Sequence, residues 1–125
     1  MDIKVKKLHK DAIIPTMATE GSAGFDLCAL IDKPELHNGE MLYANDKKAF
    51  HTGISMEIPK GYVGLIFARS GLATKQDLCL TNAVGVVDSD YRGEVMIPLR
   101  NDNCMGRGSD SKRLVKNGDR IAQMV

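Results

Sequence analysis

Apolar residues in this 125-residue chain fall into short runs that alternate with polar ones or are continuous, covering Ile3 to Leu8, Ala23 to Leu30, Ile54 to Ile58, Tyr62 to Phe67, Val84 to Val87, Glu94 to Leu99 and Arg120 to Val125. Runs of that length and period predict strands, and the 12 glycines and 4 prolines between them supply turns, so the rhythm is all-β. Pro59-Lys60-Gly61 predicts a turn joining two strands as a hairpin, because Pro presets φ and Gly accepts positive φ. The one helix expected is short, Leu72 to Gln76, entered through Arg69-Ser70-Gly71 with Ser70 as the cap. Leu36 to Lys48 and Asn101 to Lys116 are polar and rich in Gly, Asn and Asp, and read as surface loops around weaker strands.

The most informative stretch is Gly85-Val86-Val87-Asp88-Ser89-Asp90-Tyr91-Arg92-Gly93. Valines before it and Val95-Met96-Ile97 after it are strand formers, while Asp, Ser and Gly favour a turn. The pattern predicts a hairpin whose tip presents two carboxylates and an aromatic ring to a ligand. Asp88 and Asp90 would point the same way and repel in a regular strand, so a turn should separate them, leaving one functional and the other structural. An Asp-x-Asp alone reads foremost as ordinary turn chemistry, since Asp is a common turn former.

Length and composition narrow the class. The chain suits one domain with a single core, and 43% hydrophobic with 26% charged residues is ordinary for a globular protein. A formal charge of +1 argues against nucleic-acid binding through bulk electrostatics and favours a small partner. Cys28, Cys79 and Cys104 are far apart and odd in number, which fits free thiols in a reducing cytoplasm. No apolar run approaches membrane-spanning length, and Met-Asp-Ile-Lys-Val at the start alternates like a strand.

Three further segments carry candidate chemistry. Arg69-Ser70-Gly71 puts a guanidinium, a hydroxyl and an accessible N–H at a short helix start, a combination that attracts phosphate but is also an ordinary cap. Gly118-Asp119-Arg120-Ile121-Ala122-Gln123 is a turn entering a strand, with a Gln123 amide that both donates and accepts. Ala23-Gly24-Phe25-Asp26-Leu27 sets one carboxylate among apolar neighbours, where a cation should pair with it, an arginine above being the obvious choice. His9, His37 and His51 lack metal-ligand spacing, and Gly106-x-Gly108 lacks the strand and helix of a dinucleotide fingerprint.

In this order the segments resemble the trimeric dUTP pyrophosphatases, whose signature blocks read here as Ala23 to Leu27, Arg69-Ser70-Gly71-Leu72-Ala73, Gly85 to Gly93, and Gly118 to Gln123. The resemblance implies a distorted jelly-roll β-barrel with one short helix, assembled as a homotrimer with active sites at subunit contacts. Members of the family continue past the last block into another strand and a glycine-rich arm that closes over the substrate. Here the sequence stops at Val125 inside an apolar strand, so the expectation is one domain over 1–125 without that strand and arm, cut short rather than natively lidless.

The implied reaction is hydrolysis of dUTP to dUMP and pyrophosphate, by in-line attack of water on the α-phosphorus, with Mg2+ held mainly by triphosphate oxygens. By the same resemblance Asp88 is the general base. Tyr91 stacks under the deoxyribose and leaves no room for a 2′-hydroxyl. Backbone groups around Gly85 and Met96, with the Asn82 amide, read the uracil edge. Arg69, Ser70, the Gly71 N–H and Gln123 bind phosphates, and Asp26 orients metal-bound water or an arginine; Asp90 and Arg92 support the hairpin. Two alternatives stay open: a dUTP-responsive regulatory trimer acting on a protein partner, and a relative of the dCTP deaminases, which would carry a glutamate base where this chain has Asp88.

Overall fold

The computed structural model of the chain describes residues 1–103 and 111–125. In chain order its elements are β1 (Lys4–Lys7), β2 (Phe25–Cys28), β3 (Glu40–Leu42), β4 (Lys47–His51), β5 (Ile54–Glu57), β6 (Gly64–Phe67), α1 (Ser70–Lys75), β7 (Leu78–Leu80), β8 (Gly85–Val87), β9 (Met96–Asn101), β10 (Arg113–Val115) and β11 (Arg120–Met124). A single 3-10 turn spans Pro34–Leu36. The all-β class with one short α-helix is as expected, and each of the seven predicted strands is present. No helix among the described residues is long and apolar enough to cross a membrane.

All pairings are antiparallel. One sheet runs β2-β11-β6-β8, a second β4-β9-β7, and β1-β5 and β10-β3 are two-stranded. These ladders wrap one core of residues such as Leu27, Leu42, Ile54, Ile97, Leu99 and Ile121, each at most 1% exposed, but strand pairing among the described residues leaves four sheets and no closed barrel. Strand β9 shows how burial writes the fold: its six residues alternate between half-buried and buried, as a strand with one face on the core must.

Two expected hairpins are crossovers instead. Tyr62 N–H donates to Pro59 O at 3.1 Å and Gly61 has φ +90°, so the turn forms, yet β5 pairs with β1 while β6 pairs with β8 and β11. Likewise β8 pairs only with β6, and β9 with β4 and β7, so the segment from Asp88 to Val95 carries the chain from one large sheet to the other. Turn residues specify a local reversal; which strands then pair is settled by burial across the whole core.

The helix also begins earlier than expected. Arg69, extended at φ −79° and ψ 135°, occupies the cap position without a side-chain cap bond, and Ser70 is the first helical residue. Its hydroxyl does not cap; its carbonyl instead accepts from Thr74 Oγ1 at 2.6 Å.

The polar stretches hold more order than a loop. Strands β3 and β10 pair through Leu42 and Arg113, Met41 and Leu114, and Glu40 and Val115. Asn101, fully buried, holds them in place: its Nδ2 donates to Leu42 O at 3.0 Å and to Ser111 O at 2.8 Å, and its Oδ1 accepts from Asn103 N–H at 2.9 Å. The middle of the second stretch, with Cys104 and Gly106 to Gly108, lies outside the described residues.

Asn101→Ala strips partners from two carbonyls and one N–H in a dry setting, and each such group costs about 1–3 kcal/mol. The expected outcome is a loss of about 3 kcal/mol, read as a lower urea midpoint at fixed protein concentration. An unchanged midpoint contradicts the bracing role.

Candidate active site

Asp88 follows the last residue of β8 and is exposed, and its carboxylate has no hydrogen-bond or ion-pair partner among the described residues. Its carbonyl accepts from Tyr91 N–H at 3.1 Å, which closes the turn. Arg92 braces that turn through Nη1, donating to Ser89 O at 2.7 Å and Tyr91 O at 3.2 Å. Asp90, expected to share that supporting role, has no side-chain partner among the described residues and faces the Pro59 to Val63 segment across an outer groove. The Tyr91 hydroxyl donates to Glu94 O at 2.8 Å, and its ring lies where a side chain at Gly93 would be.

Behind this turn lies a cavity of about 200 Å³. Five of the residues named from the sequence line it: Asn82, Gly85, Asp88, Tyr91 and Met96. Room beside Gly85 is tight, since a Cβ there would come within 3.1 Å of Ile66 Cβ on the paired strand. Ala83 takes positive φ, +62°, and Val84 N–H donates to Asn82 O at 2.6 Å, so a tight bend sets the Asn82 amide at the cavity edge.

The remaining named residues form a second cluster. Gln123 lies opposite Asp26 on one side and Phe67 on the other, and its Nε2 donates to Ala68 O at 3.3 Å. Asp26 meets Arg69 Nε at 3.2 Å and Arg120 Nη1 at 3.6 Å, so the cation expected beside this carboxylate is in fact two. Arg69 Nη1 also donates to Arg120 O at 3.4 Å. Ser70 and Gly71 come next in the chain, exposed at the start of α1, and a Cβ at Gly71 would meet nothing within 4 Å.

The two clusters flank β6. Gly85 and Met124 both lie opposite Ile66, which sets β8 and β11 two strand spacings apart, roughly 10 Å. None of Asp26, Arg69, Ser70, Gly71 or Gln123 lines the cavity beside Asp88. One residue at the site carried no signal in the sequence: Glu94, whose carboxylate meets His51 and Gly53 more than forty positions away.

As a metal holder the donor set is poor. Both oxygens of Asp26 face guanidinium groups, and among the described residues no group of three or more His, Cys, Asp or Glu side chains could hold an ion.

The sequence profile of the dUTPase family matches residues 10–125. The deoxyuridine 5′-triphosphate nucleotidohydrolase of Hydrogenobaculum sp. is 39% identical over 125 residues, spanning 100% of this chain and 78% of that protein. The Staphylococcus bacteriophage 80alpha dUTPase with dUPNHPP superposes with a TM-score of 0.85 at 26% identity, covering 99% of this chain and 80% of that one. A mutant dUTPase of phage phi11 of S. aureus, whose structure describes the coordination of a structural Mg(II) ion, gives a TM-score of 0.83 at 25% identity, covering 100% of this chain and 89% of that one.

Cys28, on β2 two residues from Asp26, has its thiol pushed up by burial and then by the Asp26 charge; burial and a hydrogen bond with Asp102 push Cys79 up as well. Less thiolate means slower attack on a disulfide reagent. In a Cys104→Ser background, both thiols should react with Ellman's reagent at pH 8 well below the rate of a free cysteine, and speed up as pH rises further. Reaction at the free-cysteine rate contradicts this.

Proposed function

The chain belongs to the dUTPase family and hydrolyses dUTP to dUMP and pyrophosphate, and we propose that it does so at a site shared between copies of the chain, with Asp88 aligning the attacking water. One observation carries this reading: the cavity that gathers Asn82, Gly85, Tyr91 and Met96 beside a carboxylate with no protein partner among the described residues. Water hydrogen-bonded to Asp88 attacks the α-phosphorus in line. The bond from that phosphorus to the bridging oxygen breaks, pyrophosphate leaves, and the proton of the water passes to the Asp88 carboxylate. A carboxylate is a weak base, so its contribution comes mainly from placement.

Uracil enters the cavity with its edge toward the Asn82 amide and the backbone around Gly85 and Met96. An apolar pocket resolves one methylene by only about 1–3 kcal/mol, so thymine has to be refused by contact with backbone and cytosine by mismatched donors and acceptors. The Tyr91 ring lies against the deoxyribose and excludes a 2′-hydroxyl.

The second cluster binds the phosphates. Arg69 spends Nε and one N–H of Nη1 within the protein, which leaves the rest of its five donors for anionic oxygen. Gln123 keeps one N–H and its carbonyl free, and the Ser70 hydroxyl and Gly71 N–H complete the set. Enzymes of this family use a divalent metal; Mg2+ carried by the triphosphate would neutralise phosphate charge, touching Asp26 only through water.

One chain keeps the two clusters apart, and a homotrimer whose neighbouring copies supply one cluster each reunites them. The chain acts as a single domain over residues 1–125, and the free Cys28 and Cys79 thiols accord with a reducing cytoplasm.

With Mg2+, turnover should be selective for dUTP over dCTP, dTTP and UTP. Asp88→Asn should lower kcat by roughly 10²–10⁴ with KM little changed, because a base acts in the transition state. Binding of dUTP without pyrophosphate release by the unaltered chain favours a regulatory trimer instead. Equally direct is a mixing test: Asp88→Asn and Arg69→Ala chains, each nearly inactive, should regain about a quarter of wild-type activity when refolded together, as random assortment restores intact shared sites. No recovery on mixing means each site lies within one chain.

A further inference from the structure

Glu94 stands at the end of the Asp88 turn and has no role in the reading above. Its carboxylate is held from two directions: Oε2 accepts from Gly53 N–H at 2.8 Å, and Oε1 lies 2.9 Å from His51 Nδ1. Its carbonyl receives the Tyr91 hydroxyl at 2.8 Å. The next residue is tied down as well, with Val95 N–H donating to Ile54 O at 2.9 Å and Val95 O accepting from Thr52 Oγ1 at 2.6 Å. Side chain and following peptide are thus both fixed to residues 51 to 54, so the direction of the Glu94 carbonyl between them is fixed too.

That direction matters because Tyr91 has little else to hold it. The residue is 44% exposed, and its hydroxyl lies directly over Gly93, 2.5 Å from where a Cβ would be. A ring held only by its own loop would swing between rotamers. Steric refusal of a single oxygen fails once the refusing surface moves by about 1 Å. Glu94 is also the wall between two cavities, the one of about 200 Å³ beside Asp88 and one of about 370 Å³ lined by His51 and Gly53.

We propose that Glu94 is a positioning residue for sugar selection: its carboxylate, held by His51 and Gly53, fixes its own carbonyl, and the carbonyl fixes the height of the Tyr91 ring. The chain of contacts passes from β4 and the turn after it to the face met by the deoxyribose. This rests on the reading of Tyr91 as the surface that excludes a 2′-hydroxyl. Base recognition in that reading runs through the Asn82 amide and the backbone around Gly85 and Met96, not through the Glu94 carboxylate.

The test compares kcat/KM for dUTP, UTP and dCTP in Glu94→Ala, Glu94→Gln, Tyr91→Phe and Tyr91→Ala. Glu94→Ala should reduce the preference for dUTP over UTP by about 10-fold and leave the preference over dCTP unchanged. Tyr91→Phe should act in the same direction, and the double variant should be no worse than the poorer single one, since both cut one chain of contacts. Glu94→Gln, whose amide oxygen accepts from Gly53 N–H and whose NH2 faces His51, should restore the wild-type ratio; this variant keeps the test intact if Ala fails to fold. If Tyr91→Ala relaxes sugar selection while Glu94→Ala or Glu94→Gln behaves oppositely to these expectations, the proposal is overturned and the reading of Tyr91 stands. If Tyr91→Ala leaves the dUTP to UTP ratio unchanged, the reading of Tyr91 is overturned first and the proposal with it.

Discussion

The four residues of β6 set the geometry on which the site depends. Gly64–Phe67 pair with β8 on one side and β11 on the other, so the cavity beside Asp88 and the cluster around Asp26 are both referenced to one strand. The constraint is steric as well as hydrogen-bonded. A Cβ at Gly64 would fall 2.7 Å from Ile58 Cδ1, 3.1 Å from Met124 Sδ and 3.3 Å from Val87 Cβ, so a side chain there would have to displace the Ile58 tip and press on both neighbouring strands. On the far side of β11, Gly24 is just as confined, since a Cβ there would collide with Met124 O.

Around that strand the charges are divided by task. The carboxylate next to the cavity, Asp88, has no cationic partner among the described residues, and the carboxylate on the sheet face, Asp26, has two. An unpaired, wetted carboxylate is free to engage a water molecule, whereas one locked between guanidinium groups orients them and gives up its own reach. The same residue type thus stands in opposite electrostatic surroundings.

How far the sequence revealed this differs from element to element. Strand Met96–Asn101 was legible because period and burial coincide, and Ile54–Glu57 because its apolar residues are closely spaced and buried. Strand β4, Lys47–His51, buries only Phe50 fully, and β3 and β10, the weaker strands expected within the polar stretches, are three residues each and ordered by an Asn101 amide distant in sequence from β3, so no local pattern gives their bounds. The two expected hairpins failed for a related reason, because Pro59-Lys60-Gly61 and the Asp88 turn encode reversals without encoding partners. At the site, the grouping of Asn82, Gly85, Asp88, Tyr91 and Met96 followed from the resemblance to known signature blocks. An arginine beside Asp26 was expected from charge alone, whereas Glu94 escaped notice because its carboxylate contacts join segments that only folding brings together.

Pairing of β2 with β11, which sets Gln123 against Asp26, has a kinetic side. Contacts between segments so remote in sequence demand loop closure before they return any stabilisation, and such topologies fold slowly. During synthesis, the face that sets Asp26 against Gln123 stays unmade until β11 has left the ribosome, while the ladders between nearer segments are already able to form. A nascent chain would therefore present an open edge on β2 for some time, and the meeting of Asp26 with Gln123 waits until most of the other ladders have their strands.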